Sequence, residues 1–158
     1  MTHDELQHRV ATFHTPYHRA IEVALEQLKA EFGYALLIDA HSMPSVGKRN
    51  AQGRTTRRAD VVPGDVDGRS CSSIFTDLVE DHFQNRGFSV SRNTPYKGGW
   101  ITRNFGAPES GTHAIQIEIN RDLYMNEKSF QRNTNGMERL NEACCSLIEQ
   151  LGKLEIPT

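Results

Sequence analysis

The chain lacks the features that mark several common classes of protein. No apolar run approaches the roughly 18 residues of a membrane-spanning helix, and the first residues, Met1-Thr-His-Asp-Glu5, do not resemble a signal peptide. Only three cysteines are present, two of them adjacent at Cys144 and Cys145, which excludes a disulfide framework. Cys71 has no recognisable base near it in the sequence and is interpreted as a small buried or loop cysteine. We therefore expect a cytoplasmic protein with no membrane partner.

The charge balance argues against nucleic acid as a partner. A formal net charge of -2 over 158 residues provides no basic field for nucleic acid or anionic lipid. Four arginines cluster between residues 47 and 63, namely Arg49, Arg54, Arg57 and Arg58. Glycine and proline surround them, which predicts a mobile basic loop rather than a nucleic-acid surface. With 37% hydrophobic and 24% charged residues, the composition is typical of one globular domain over residues 1–158.

Helical and extended patterns alternate along the chain. An apolar stripe at steps of three and four predicts a helix from Pro16, with Thr15 as its N-cap and Gly33 at its end. The other predicted elements are a weak helix over 3–12, strands over 35–38, 88–92 and 113–120, and helices over 71–86 and 134–151. Residues 43–69 are predicted to be a long connection and residues 100–103 to be extended. This order predicts an α/β fold with a largely parallel sheet.

His41 stands just after the apolar strand, where ligands commonly sit in open α/β sheets. Asp39, two residues earlier, lies on the same side of an extended chain. The pair can therefore be a metal ligand and the carboxylate that orients its ring. The alternative is an ordinary polar strand end that meets a solvated loop.

Glu118 is the second candidate, because it lies in the middle of a strand among isoleucines. Residues 113–120 alternate, with isoleucines on one face and Gln116, Glu118 and Asn120 on the other. Burying a glutamate carboxylate without a polar partner is energetically costly, so a glutamate at this position requires an explanation. Either this face is open to water, or it is the floor of a polar cleft in which Glu118 acts as a general base.

Other polar residues have weaker signals. Arg103 and Arg121 are candidates to hold a substrate carboxylate, since guanidinium matches carboxylate bidentately, although either could be a surface charge. His14 and His18 have the spacing of a helical metal pair. Pro16 stands between them and is expected to prevent a regular helix through both, so these histidines are interpreted as structural or surface residues.

Four blocks, taken together, resemble one known family. They are Leu37-Ile-Asp-Ala-His-Ser-Met-Pro-Ser45, Gly64-Asp65 with Ser70-Cys71, Asn93-x-Pro-Tyr-x-Gly-Gly-x-Ile-Thr-Arg103, and Gln116-Ile-Glu-Ile-Asn-Arg-x-Leu-Tyr-Met125. Their order, their spacing and the preceding Pro16-Tyr-His18 are similar to those of the N-formylglutamate amidohydrolases. The resemblance covers roughly residues 9 to 128, and four blocks in sequence are far more specific than one motif.

The resemblance implies a zinc-carboxypeptidase-like (phosphorylase/hydrolase-like) α/β fold, with a mostly parallel mixed sheet flanked by helices. It implies cleavage of a small N-formyl amino acid, N-formyl-L-glutamate, to L-glutamate and formate in histidine degradation, with Zn²⁺ as cofactor. By position, His41 corresponds to the third zinc ligand, with Asp39 orienting it, and Glu118 to the carboxylate that activates water. Three residues, Arg103, Arg121 and Asn120, are then expected to meet the substrate.

The sequence departs from the family at its start. Family members carry a histidine and an acidic zinc ligand well upstream of the block that contains His41, but only 40 residues precede His41 here and none forms a Pro-His-Ser-Gly-type segment. We therefore expect an incomplete domain that resembles the C-terminal two thirds of the enzyme and exposes an apolar edge prone to self-association. A non-catalytic remnant that binds a carboxylate ligand or a partner chain, and a hydrolase of another N-acyl amino acid, are the alternatives.

Overall fold

A computed structural model of the chain describes residues 1–48 and 51–154, which form a three-stranded mixed sheet with helices on both faces. The strands are β1 (Ala35–Met43), β2 (Val61–Gly64) and β3 (Thr112–Asn120), in the order β1-β3-β2. Strand β3 is central, parallel to β1 and antiparallel to β2. The α/β class is as predicted, but the sheet is evenly mixed rather than largely parallel.

One face of the sheet carries the main hydrophobic core. The alternating isoleucines of β3, Ile115 and Ile117, pack against helices α3 (Ser73–Asn85) and α5 (Thr134–Leu151). Both helices follow the predicted ranges closely because each has a long apolar stripe with a clear end. Gly87 adopts a left-handed φ of 73° just beyond α3, and the side chain of Asn133 caps α5 by accepting from the Gly136 amide.

The opposite face is covered over only part of its length. Helix α2 (Thr15–Phe32) and the short helix α4 (Trp100–Phe105) pack Leu25 and Phe105 against Ala35 and Leu37 at the start of β1. Since alternate strand residues share a face, Asp39 and His41 follow on this side towards the carboxyl end of β1. The uncovered end of this face is polar.

The N-terminal helix differs from the prediction. Helix α1 (His3–Arg9) continues through a π-helical turn (Val10–His14) into α2, so the expectation that the helix begins at Thr15 and Pro16 is wrong. The Thr15 amide donates to the Val10 carbonyl, five residues back. This wider turn accommodates Pro16, whose ring would otherwise crowd a carbonyl of the preceding turn. Gly33 ends the helix at a left-handed φ of 81°, as predicted.

Three short segments were also predicted wrongly. Residues 88–92 form only a single bridge, between Val90 and Val61, and residues 100–103 are helical rather than extended. Strand β2 lies inside the predicted long connection. This strand has only four residues, one of which is Pro63, so it is too short to show an alternating pattern in the sequence. Its extended conformation is stabilised by pairing with β3.

The outer edge of β1 has no strand beside it in the described part of the chain. An apolar groove of about 470 Å³ follows this edge, lined in part by Leu28, Phe32, Ile38 and Ile148. Self-association through this edge stays a prediction. No helix within residues 1–48 and 51–154 is long and apolar enough to cross a membrane.

Of the four clustered arginines, Arg49 lies outside the described residues. Arg57 pairs with Asp122 at 3.1 Å. Arg58 donates to the Pro44 carbonyl and lies 5.0 Å from the ring centroid of Tyr96. Both therefore contact other parts of the fold rather than projecting together as one basic surface.

Candidate active site

The register of β1 and β3 brings the two main candidates side by side. His41 is the Cα partner of Glu118, and Asp39 is the partner of Gln116, so the four side chains share one face at the uncovered end of the sheet. His41 Nε2 lies 3.1 Å from Asp39 Oδ1. Because a carboxylate oxygen accepts, Nε2 is the donor in this contact, and Nδ1 is the ring nitrogen that the neutral tautomer leaves available. His41 can therefore offer Nδ1 to a metal ion.

Glu118 is held on one oxygen and open on the other. Its Oε1 accepts from Gln116 Nε2 at 2.9 Å, and Gln116 Oε1 in turn accepts from the backbone amide of Gly99 at 2.6 Å. Glu118 Oε2 is buried with no hydrogen-bond partner in the described structure, and so is Asp39 Oδ2. Buried acceptors without partners are rare and costly. These two oxygens are where a ligand, water or metal ion would be stabilised.

Burial sets the electrostatics of Glu118, whose residue is only 6% exposed. Desolvation raises the pKa of its carboxyl above the ordinary value, while the nearby charges of His41 and Arg58 oppose the shift. Gln116 and Asn120 are buried as well. These three β3 side chains are therefore shielded from water although the neighbouring His41 is exposed, so simple solvent exposure does not explain the mid-strand glutamate.

Two arginines lie near this carboxylate. Both Arg58 and Arg121 act on the charge of Glu118, and neither is fully buried. Arg121 Nε also contacts Glu127 Oε1 at 3.2 Å, and Glu127 accepts from the Ser45 amide. Arg58 is a site residue that the sequence did not reveal, because nothing local shows that this loop returns beside β3.

Arg103 and Asn120 are placed differently. Arg103 is exposed on α4 and its Nε donates to the Gly98 carbonyl at 3.1 Å. The Asn120 side chain is buried, donates to the Arg58 and Ala59 carbonyls at 3.4 and 3.3 Å, and accepts from the Asp122 amide. These contacts join the end of β3 to the loop that carries Arg58, so Asn120 meets a substrate only if it gives up one of them.

A catalytic zinc ion commonly has three protein ligands and a water molecule. Among residues 1–48 and 51–154, no group of three His, Cys, Asp or Glu side chains is arranged to hold a metal ion. His41 supplies one imidazole, and the open oxygens of Asp39 and Glu118 lie beside it. The described residues therefore do not complete a metal site with three ligands, and zinc binding at His41 stays a prediction.

The sequence matches a known family over most of its length. The profile of the N-formylglutamate amidohydrolases matches residues 1–125. The chain belongs to the N-formylglutamate amidohydrolase family. An N-formylglutamate deformylase of Pseudomonas aeruginosa is 40% identical over 150 residues, which cover 94% of this chain and 55% of that protein. The N-formylglutamate deformylase of Pseudomonas putida is 35% identical over 113 residues, covering 71% of this chain and 41% of that protein.

Solved structures agree with this membership. The crystal structure of an N-formylglutamate amidohydrolase from Ralstonia eutropha superposes with a TM-score of 0.81 at 33% identity, over 92% of this chain and 52% of that one. A gene product of Agrobacterium tumefaciens, at 19% identity and a TM-score of 0.63 over 97% of this chain and 57% of its own, shares the fold. This member of the N-formylglutamate amidohydrolase family thus spans about half the length of the relatives it matches.

Proposed function

We propose that the chain carries the reaction centre of a zinc-dependent amidohydrolase that converts N-formyl-L-glutamate to L-glutamate and formate. The proposal extends to a cytoplasmic role in histidine degradation and to a zinc-carboxypeptidase-like fold whose sheet is larger than the three strands described. One observation supports it above the others: Glu118 is buried beside His41 with one carboxylate oxygen held and the other open. The names of the relatives supply the substrate.

The chemistry rests on Glu118. Its ionised carboxylate takes a proton from water as the water oxygen attacks the formyl carbon, which gives a tetrahedral intermediate. Glu118 then gives that proton to the amide nitrogen as the carbon–nitrogen bond breaks, releasing the amine of glutamate and formate. Gln116 holds Oε1, so that Oε2 is the oxygen that exchanges the proton. The described residues do not complete a zinc site, so these steps use only the chain's own groups and water.

The substrate's two carboxylates require cations. Arg58 and Arg121 are the two arginines whose charges act on Glu118, and we propose that they bind the substrate carboxylates. Exposed Arg103 and buried Asn120 are further candidates. Zinc is proposed to bind His41 through Nδ1, with Asp39 fixing the ring. Since the other ligands are unaccounted for, we expect the chain alone to hold zinc weakly at His41 and to release formate slowly or not at all.

The test uses a chimera that makes the site measurable. The 150 matched residues of the Pseudomonas aeruginosa deformylase are replaced by this chain, and formate release from N-formyl-L-glutamate is followed. We expect turnover, which Glu118→Gln reduces by about 10²–10⁴-fold while zinc stays bound. His41→Ala should lose both zinc and turnover, and Glu109→Gln, an exposed carboxylate change, should lose neither.

Other outcomes would separate the alternatives. A folded chimera that retains more than a few per cent of its activity in Glu118→Gln would exclude the general-base role. Binding of L-glutamate without turnover would favour the non-catalytic remnant. Faster cleavage of N-acetyl-L-glutamate or N-formyl-L-leucine than of N-formyl-L-glutamate would favour a hydrolase of another N-acyl amino acid.

A further inference from the structure

A pair of histidines lies on the N-terminal helix, outside the candidate active site. His14 ends the π-helical turn and His18 follows one turn later in α2, so both rings project from the same side of one continuous helix. Their ring centroids are 3.9 Å apart. The argument that Pro16 would separate them no longer applies, because the helix passes through it. Two histidines with this spacing on one helical face are a recurrent arrangement for binding divalent metal ions.

The hydrogen bond of His18 leaves its outer ring nitrogen available for a metal ion. His18 Nδ1 lies 2.7 Å from the His14 carbonyl oxygen, which can only accept, so Nδ1 carries the proton and Nε2 keeps its lone pair. Histidines that bind metals typically donate their other ring nitrogen to a carbonyl or carboxylate in this way. The ring of His14 is exposed beside His18 and makes no hydrogen bond within the described residues.

The two histidines pack against aromatic residues of α4. The ring of His18 stands edge-on to Trp100, with centroids 4.6 Å apart, and stacks on Phe105 at 6.1 Å. Trp100 also lies 5.9 Å from His14. On the solvent side a groove of about 430 Å³ runs beside the two rings. Arg9, which lines the groove, is paired with Glu5 at 2.7 Å, which partly neutralises the nearest positive charge.

We propose that His14 and His18 together bind one divalent ion of the class that imidazole prefers (Cu²⁺, Ni²⁺ or Zn²⁺), with water filling its remaining positions. A metal–nitrogen distance of about 2.1 Å would separate the ring centroids by roughly 4.5–5 Å, so the rings must open by about 1 Å. The exposed ring of His14 can make this movement. The site does not depend on the reaction proposed for Glu118, and uses none of its residues.

The chain contains a natural reporter for this site. Trp100 is the only tryptophan, and it touches the His18 ring. Cu²⁺ bound between the histidines should quench its fluorescence, and EDTA, which removes the ion, should restore the signal. All measurements use a His3→Ala background, so that the imidazole of His3 adds nothing to the Cu²⁺ signal.

Single substitutions then locate the ion. We expect one saturable quenching phase that His14→Ala weakens about 100-fold in affinity, since the second ligand acts at high effective concentration. His18→Gln should do the same, and His8→Ala, an exposed histidine on the same helix, should change nothing. Far-UV circular dichroism confirms that each variant keeps its helix.

Two results would overturn the proposal. One is quenching of unchanged affinity in folded His14→Ala. The other is a signal that survives His14→Ala but disappears in His41→Ala, which would place the ion in the candidate active site. Retention of the signal in His41→Ala, combined with its loss in His14→Ala, supports the proposed pair.

Discussion

Removing the charge of Glu118 should stabilise the metal-free chain. The carboxylate is buried, and Oε2 has no hydrogen-bond partner among the described residues. In Glu118→Gln the amide oxygen can still accept from Gln116 Nε2, and a neutral NH₂ replaces the open, charged oxygen. An unpaired buried polar group costs about 1–3 kcal/mol and a charged one more, so we expect a gain of about 1–2 kcal/mol in the free energy of unfolding near pH 7.5.

The gain should depend on pH in a defined direction. Burial raises the pKa of Glu118 above its ordinary value of 4.5, so the folded state holds this proton more tightly than the unfolded state. The contribution of the protonated group is therefore complete below pH 4.5 and is lost as the pH rises through the folded-state pKa. The difference between Glu118→Gln and the natural chain should accordingly be small in acid and largest above neutrality.

The assay is urea unfolding followed by circular dichroism at 222 nm, in the presence of EDTA. With a slope of about 2 kcal/mol/M, the expected gain moves the midpoint up by about 0.5–1 M. Glu127→Gln is the matched control, because its carboxylate accepts from the Ser45 hydroxyl and amide and contacts Arg121, and these interactions lower its pKa. That substitution should lower the midpoint. If Glu118→Gln also lowers it, Oε2 has a partner in the folded protein and is not an open site oxygen.

Three further predictions concern residues of the fold outside the candidate active site. Burial raises the pKa of Cys71 to about 12, so this thiol should resist a thiol reagent at pH 8 until urea unfolds the chain. The exposed Cys145 should react at once, and mass spectrometry of the labelled peptides distinguishes the two cysteines. Burial lowers the pKa of His113, so the unfolding free energy should fall as the pH drops below 6.5, and His113→Gln should flatten that fall between pH 7.5 and 5.5. Gly106→Ala should lower the urea midpoint by the equivalent of about 1–3 kcal/mol, because its Cβ would lie 2.4 Å from Ser70 Cβ, while Ala107→Ser, at an exposed neighbour, should not.

Much of the fold could be predicted because its signals are local. The apolar run before Asp39, the stripes of α3 and α5, and Gly33 at the end of α2 each reflect the geometry of a few consecutive residues. The alternation in β3 likewise placed Glu118 on the face opposite the isoleucines. These features need only the periods of helix and strand, which a sequence displays directly.

The sequence by itself thus determined which residues lie on which face of each element, and the family resemblance named His41 and Glu118 as the pair to examine. Only the tertiary structure shows that these two residues are neighbours, because the pairing of β1 with β3 joins residues 77 positions apart. No local sequence pattern encodes that register. The same is true of Arg58, carried to the site by a loop, and of Gln116, held by the Gly99 amide. Pro16 is the reverse case: a strong local signal for a break was overridden because a π-helical turn accommodates the proline.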